Sequence, residues 1–254
     1  MKLVRIVFSP TGSTEKVTDL LSKEIGGDPV TIDLMGNSFE QYASIEPEDI
    51  CIIAVPSFGG RVPVPAVDRL KKISGNKART VLVVTYGNRA YDDTLVELKD
   101  IADERGFDCI AAVAAVTEHS MMHQYGAGRP DQSDEAELRT YGKQIRELIE
   151  GGKRNFQLKV PGNRPYVKMG SVPLHPAATS ACTKCGTCTY VCPAGAISLE
   201  HPEKTDGKKC ITCMGCVAVC PQHARRLNPI VLKIAGMSMK KVCGGRKENQ
   251  CILG

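Results

Sequence analysis

No stretch of this 254-residue chain approaches the roughly 18 consecutive apolar residues of a membrane helix, so no membrane span is predicted. The start, from Met1 to Phe8, is apolar only briefly before Pro10, and it predicts a buried strand and not an export signal. The motif Gly-x-Gly-x-x-Gly is also absent, which argues against a nicotinamide site of the Rossmann type. From these absences we expect a cytoplasmic protein whose thiols stay reduced.

Acidic residues are scarce in the second part of the chain. Residues 151–254 contain 16 Lys and Arg against 4 Asp and Glu, whereas residues 1–150 contain 17 against 24. A basic segment can indicate nucleic-acid binding, but no recognisable nucleic-acid-binding motif accompanies it, so we expect no nucleic-acid partner. The cysteines of the same segment offer a better explanation for the charge.

Cysteine spacing is the strongest pattern in the sequence. Eight of the 12 cysteines form two copies of one motif, 28 residues apart: Cys182-x2-Cys185-x2-Cys188-x3-Cys192-Pro193 and Cys210-x2-Cys213-x2-Cys216-x3-Cys220-Pro221. Zinc sites use separated Cys-x2-Cys pairs, and disulfide frameworks need an oxidising compartment, so both alternatives fit this spacing less well. Three closely spaced cysteines followed by a fourth before a proline are typical of iron–sulfur ligation.

The two motifs resemble those of bacterial ferredoxins with two [4Fe–4S] clusters, in which the fourth cysteine of each motif binds the other cluster. The resemblance therefore implies that one cluster is held by Cys182, Cys185, Cys188 and Cys220, and the second by Cys210, Cys213, Cys216 and Cys192. Each oxidised cluster with its four thiolates carries a charge of about −2. Cationic residues near in sequence are expected to offset this charge: Lys184, Lys204, Lys208, Lys209, Arg225 and Arg226.

The first 150 residues alternate strands and helices. The pattern predicts strands at 2–8, 30–34, 49–55, 80–85 and 109–116, and helices at 15–25, 66–73, 92–105 and 133–149. This alternation is typical of a doubly wound parallel sheet, whose ligands lie beyond the carboxyl ends of the strands. The loop from Ser9 to Thr14 opens the first helix without the Gly-Lys-Ser/Thr of a Walker A motif. Free N–H groups at the helix start predict an anion site there, with an ordinary N-capped helix as the alternative.

The same loop, with its Ser-x-Thr-Gly-x-Thr pattern, resembles the phosphate loop of flavodoxins. The resemblance implies an α/β flavodoxin-like domain that binds FMN, with a five-stranded parallel sheet in the order 2-1-3-4-5. It assigns Ser9, Thr11, Gly12, Ser13 and Thr14 to the phosphate, and Pro56, Ser57, Phe58, Gly59, Gly60, Thr85, Tyr86, Gly87, Asn88, Arg89 and Tyr91 to the isoalloxazine. Flavodoxins often place a Trp against the ring, but this chain has none, so Phe58, Tyr86 and Tyr91 are the candidate ring contacts, with core packing as the alternative. Arg61 and Arg89 also lie in these loops and would favour a reduced, anionic ring if they faced it.

As a whole, the chain resembles the fusion ferredoxins of anaerobic bacteria and archaea, with a small α+β ferredoxin domain after the flavodoxin-like one. The predicted divisions are an FMN-binding domain at 1–151, a Gly- and Pro-rich linker at 152–176, a ferredoxin domain at 177–230 and a tail at 231–254. The long loop at 118–134 is expected to cover the flavin or to face the clusters.

These cofactors predict an electron carrier that passes electrons between two [4Fe–4S] clusters and FMN, and so converts between one- and two-electron partners. Two alternatives stay open. One is an iron–sulfur flavoprotein that reduces a small substrate, and the other is a protein that docks as one component of a larger oxidoreductase. The expected partners are redox proteins, and a homodimer is one option for the assembly.

Overall fold

The chain folds around one mixed sheet, and the computed structural model describes residues 2–36, 44–152, 157–170 and 174–254. In chain order the elements are β1 (Leu3–Val7), α1 (Ser13–Ile25), β2 (Pro29–Asp33), β3 (Ile50–Pro56), α2 (Val64–Leu70), β4 (Arg79–Tyr86), α3 (Thr94–Glu104), β5 (Asp108–Val116), α4 (Gln132–Glu150), β6 (Ala177–Ala178), α5 (Thr187–Tyr190), α6 (Gly215–Ala218), β7 (Arg225–Arg226), α7 (Pro229–Cys243) and β8 (Gln250–Leu253). The sheet order is β2-β1-β3-β4-β5-β8, with β1 to β5 parallel and β8 antiparallel to β5. The predicted flavodoxin-like order is therefore confirmed, with one antiparallel edge strand added.

Strands β1, β3, β4 and β5 are buried on both faces, which explains their nearly continuous runs of apolar residues, whereas the edge strand β2 is largely exposed. Alternate residues of β3 belong to different cores: Cys51, Ile53 and Val55 to one, and Ile50, Ile52 and Ala54 to the other. Helices α2 and α3 pack on the first face, and α1 and α4 pack on the second. With helices on both faces, the carboxyl ends of β1, β3 and β4 are left side by side at one end of the sheet.

The cysteine-rich unit, residues 177–226, is an internal repeat in structure as well as in sequence. The backbone angle φ is positive at Lys184, Gly186 and Gly195 and again, 28 residues later, at Thr212, Met214 and His223. Each copy contains one short helix, α5 or α6, at matching positions. The first and last segments of the unit, β6 and β7, pair antiparallel and close it.

Two segments attach the cysteine-rich unit to the sheet domain. Before the unit, the chain runs along α3, where Asp93 accepts the N–H groups of Asn163 at 2.7 Å and Val167 at 2.6 Å. After the unit, α7 leads to β8, which pairs with residues 111–114 of β5. Most of the predicted tail at 231–254 is therefore ordered structure that returns to the sheet. Within the described residues, no helix has both the length and the apolar character that a bilayer span needs.

Candidate functional site

A cavity of about 610 Å³ lies beyond the carboxyl ends of β1, β3 and β4. Pockets that hold cofactors commonly have a volume of this order. We call it the sheet-edge cavity. Its walls come from the three loops that follow these strands, from residues 117–122 after β5, from the cysteine-rich unit and from α7.

Most of the residues that the flavodoxin resemblance assigns to a cofactor line this cavity: Thr11, Ser13, Thr14, Pro56, Ser57, Phe58, Gly59, Gly60, Thr85, Tyr86, Gly87 and Arg89. The other four predicted residues, Ser9, Gly12, Asn88 and Tyr91, do not line it. The Ser9 hydroxyl accepts the Glu15 N–H at 3.0 Å, and Gly12 is the N-cap of α1 with φ of 82°. The Tyr91 hydroxyl donates to Gln250 Oε1 at 2.6 Å.

Asn88 acts as a support for the wall formed by α7. Its side-chain amide is buried and donates to the carbonyl oxygens of Cys243 at 2.7 Å and Gly245 at 2.8 Å. These carbonyls lie at the end of α7 and just beyond it. Asn88 therefore fixes α7 beside the sheet-edge cavity, whereas the sequence assigned it to the ring.

One end of the cavity is suited to an anion. The loop from Pro10 to Thr14 leads into α1, whose first N–H groups and positive dipole end favour negative charge. Thr14 and Thr85 are both buried, and their hydroxyl oxygens lie 2.8 Å apart, which joins the start of α1 to the end of β4. The loop is therefore held in place by the sheet, with Thr11 and Ser13 left at the cavity.

The side walls are suited to a flat ring. Phe58 and Arg61 exchange both backbone hydrogen bonds across Gly59 and Gly60, whose φ angles are 60° and 80°. Positive φ at both central residues defines a type I′ turn, which glycine adopts without strain. On the opposite side, Tyr86 lines the cavity and meets the ring of Tyr91 edge-to-face, with centroids 5.4 Å apart.

Arg61 does not line the cavity, but Arg89 does. The Arg61 guanidinium is held by both carboxylate oxygens of Glu97, each at 2.7 Å, and stacks over Tyr166 at 4.8 Å. It therefore fixes the segment before the cysteine-rich unit against α3. Arg89 pairs with Asp92 and is the cationic residue of these loops that lines the cavity.

His119 is a wall residue that the sequence did not assign to the flavin. Its Nδ1 accepts the N–H groups of Met121 at 3.2 Å and Met122 at 3.3 Å, so the neutral ring carries its proton on Nε2. Burial lowers the pKa of His119, and electrostatic interaction with the neighbouring His123 and Arg89 side chains lowers it further. The loop after β5 thus supplies a neutral imidazole to the cavity. The length of the loop and its pair of histidines, His119 and His123, are the signals for this in the sequence.

The eight cysteines of the repeat surround two smaller cavities. Cys182, Cys185, Cys188 and Cys220 line one, which we call the outer thiol cavity. Cys192, Cys210, Cys213 and Cys216 line the other, the inner thiol cavity. This grouping, three cysteines of one motif with the fourth of the other, is the one that the ferredoxin resemblance implies. In the described part of the chain, no group of three or more His, Cys, Asp or Glu is arranged to hold a single metal ion.

Backbone N–H groups point at the sulfurs in a repeated way. The Ala196 N–H donates to Cys192 Sγ at 3.2 Å, and the equivalent Ala224 N–H donates to Cys220 Sγ at 3.3 Å. Such bonds favour the thiolate form and are one of the means by which proteins tune an iron–sulfur centre. The thiol sets, their spacing and these donors therefore fit iron–sulfur clusters.

The inner thiol cavity and the sheet-edge cavity share a wall. Cys213 and Ile211 line both. The contact between the two parts is close, since a Cβ added at Gly215 would lie 3.3 Å from the carbonyl oxygen of Pro10. Buried Arg69 adds a second link by donating to the Pro193 carbonyl at 3.0 Å.

Comparison with known proteins identifies the second part of the chain. The family of 4Fe-4S dicluster domains matches residues 181–225. A ferredoxin-like protein in the nif region of Sinorhizobium fredii is 43% identical over 49 residues, covering 16% of this chain and 77% of that protein. A component of the ion-translocating oxidoreductase complex of Methanosarcina acetivorans is 47% identical over 47 residues, 18% of each chain. This chain thus spans less than a fifth of that component.

Solved structures are similar to the chain at low sequence identity. The flavodoxin of Streptococcus pneumoniae has 17% identity and a TM-score of 0.39, covering 59% of this chain and 99% of that one. A flavodoxin, WrbA-like protein from Agrobacterium tumefaciens has 16% identity and a TM-score of 0.42, with coverages of 60% and 99%. Rubredoxin oxygen:oxidoreductase from Desulfovibrio gigas has 17% identity and a TM-score of 0.43, with coverages of 59% and 36%.

Proposed function

We propose that this chain carries electrons between two [4Fe–4S] clusters and one FMN. It belongs to the ferredoxin-like proteins with a 4Fe-4S dicluster domain and joins that domain to a flavodoxin-like one. Iron–sulfur clusters pass single electrons, whereas a flavin accepts one or two, so the pair supplies a conversion between the two kinds of carrier.

The shared wall between the inner thiol cavity and the sheet-edge cavity carries this proposal. Cys213 lines both, so its sulfur would be a ligand on one side and a neighbour of the flavin on the other. The two sites belong to one chain, and no partner protomer is needed to bring them together. The chain's residues would thus keep a cluster and a flavin next to each other.

Each part of the sheet-edge cavity has a role in this proposal. Thr11 and Ser13, at the start of α1, would hold the FMN phosphate together with the N–H groups of the helix. Phe58 and Tyr86, in the cavity walls, would lie along the ring. The Nε2–H of neutral His119 would be a hydrogen-bond donor for the ring's polar edge.

The outer thiol cavity is the proposed contact point for a redox partner. Cys185 is exposed, and the neighbouring side chains of Tyr190 and Leu199 are 74% and 57% exposed. Electrons would therefore enter or leave at this end, with FMN at the other. The related component of an oxidoreductase complex supports a protein, and not a small substrate, as the partner.

Anaerobic purification with iron, sulfide and flavin analysis tests the cofactor content. We expect iron and sulfide for two [4Fe–4S] clusters and one FMN per chain, with a brown preparation. A colourless protein without iron or flavin would remove the proposal.

Stopped-flow reduction by a one-electron donor protein tests the path. Cys213→Ala is expected to slow flavin reduction at least about tenfold, because it removes a ligand of the proposed cluster that would lie between the donor and the flavin. Cys251→Ala is the matched control, since Cys251 lies in β8 and lines neither thiol cavity. Equal flavin reduction rates in both variants would contradict the path through Cys213.

A further inference from the structure

Arg225 is a buried cation that has no carboxylate partner among the residues the structure describes. It is 3% exposed, and its guanidinium donates to the Thr205 hydroxyl at 2.9 Å and to the backbone carbonyls of Pro176 at 3.3 Å, Lys204 at 3.5 Å and Pro202. Its Nε is also buried and has no hydrogen-bond partner in the described part of the chain. A buried charge is costly unless an opposite charge compensates it, so this arrangement calls for an anion.

The position of Arg225 indicates where that anion belongs. Arg225 lines the outer thiol cavity together with its four cysteines. Two of its hydrogen-bond acceptors, Pro176 and Thr205, line the inner thiol cavity. The guanidinium therefore lies between the two sets of thiols.

The repeat shows that packing alone does not require an arginine here. The equivalent residue 28 positions earlier is Ile197, which is also 3% exposed and follows Ala196 as Arg225 follows Ala224. Ile197 lines the inner thiol cavity as Arg225 lines the outer one. The two halves of the repeat thus hold one apolar residue and one cation at matched sites.

We infer that Arg225 is the fixed counter-ion shared by the two iron–sulfur clusters and that it raises their reduction potentials. The inference rests on the proposed function, since it requires both clusters. A reduced cluster carries one more negative charge than an oxidised one, so a fixed cation nearby stabilises the reduced form more. Among the cationic residues that the sequence offered for this role, Arg225 is the buried one in the wall of a thiol cavity.

Redox titration followed by electron paramagnetic resonance tests the inference in three variants of the full chain. Arg225→Met removes the charge, Arg225→Lys keeps it, and Ile197→Met changes an equally buried apolar residue at the equivalent site. We expect Arg225→Met to shift the equilibrium of at least one cluster toward the oxidised form by tenfold or more, which is about 59 mV for a one-electron couple. Arg225→Lys and Ile197→Met are expected to stay close to the wild type.

Each outcome decides for or against the counter-ion. Equal potentials in wild type and Arg225→Met, with both clusters assembled, would overturn it and leave the proposed function intact. If Arg225→Met fails to assemble clusters while Arg225→Lys succeeds, the need for charge is supported. If both variants fail equally, shape and not charge is required, and the inference is wrong. A wild-type protein without clusters would instead contradict the proposed function.

Discussion

Asn249 helps to fix β8 and the end of the chain to the sheet domain. Its Oδ1 accepts the Val116 N–H at 2.9 Å, and its amide donates to Asp134 at 3.0 Å and to Glu137 at 2.6 Å. It is 5% exposed. Replacing Asn249 with alanine leaves the Val116 N–H buried without an acceptor, at about 1–3 kcal/mol, and removes two bonds to carboxylates worth about 1.5–3 kcal/mol each.

The expected loss is smaller than the sum of these values, because the two carboxylates keep other partners. Asp134 is still bound by Arg129, and Glu137 still accepts the Tyr141 hydroxyl. We therefore expect Asn249→Ala to lower the free energy of unfolding by about 3 kcal/mol, and the melting temperature by roughly 6–12 °C. Because β8 follows the wall formed by α7, we also expect weaker retention of the proposed FMN.

Urea unfolding at pH 7, with Asn249→Asp as the comparison, checks this account. The aspartate has the same shape, but it places a third carboxylate beside those of Asp134 and Glu137 and removes the two donors. It is therefore expected to be less stable than Asn249→Ala. An alanine variant that loses less than about 1 kcal/mol, or an aspartate variant as stable as the wild type, would refute the reasoning.

Three further predictions concern a turn, two thiols and an ion pair. Gly60→Ala is expected to destabilise the protein more than Gly106→Ala in thermal melts. The backbone angle φ is positive at both glycines, so both substitutions are strained. An added Cβ at Gly60 would also lie 2.5 Å from Asp92, whereas an added Cβ at Gly106 would meet nothing within 4 Å. Burial raises the pKa of Cys51 to about 12 and raises that of Cys109 as well. Iodoacetamide at pH 8 is therefore expected to leave both thiols unmodified in the native protein and to label both after unfolding, as read by mass spectrometry. Burial raises the pKa of Asp134, but hydrogen bonds from Arg129 and the backbone outweigh this and lower it below 3.8. Its stabilising contribution is therefore present above about pH 4 and lost as the pH falls through the lowered value, and Asp134→Asn is expected to flatten the fall of urea midpoints in acid.

The sheet and the grouping of the cysteines could be predicted because their signals are local. Strands β1, β3, β4 and β5 are short apolar runs buried on both faces, so their positions can be seen without knowledge of their neighbours. The four cysteines of each motif lie close together in the sequence, so each motif can be recognised without the fold. The ferredoxin resemblance then assigns the fourth cysteine of each motif to the other cluster. Asn88 and Tyr91, which the flavodoxin resemblance assigns to the ring, do not line the sheet-edge cavity, because a loop's sequence does not show which of its side chains turn toward a cavity and which turn away from it.

The rest depends on contacts between distant parts of the chain. The β8 strand is only four residues long and exposes part of its surface, so its own sequence gives little indication that it joins β5. The wall formed by α7 and the shared wall at Cys213 arise only when the cysteine-rich unit docks on the sheet domain. Arg61 lies in a predicted flavin loop, but its partner Glu97 is 36 residues away in the sequence and turns it from the cavity.

The return of the chain at β8 has a mechanical consequence for the cysteine-rich unit. The unit is held at both of its ends, by the segment along α3 and by the strand paired with β5. The unit therefore differs from a carrier domain on one flexible linker, which must diffuse between the site where it accepts electrons and the site where it donates them. A cut in the segment after α4 would leave it attached, and the rate of the proposed transfer between clusters and flavin is expected to be insensitive to solvent viscosity.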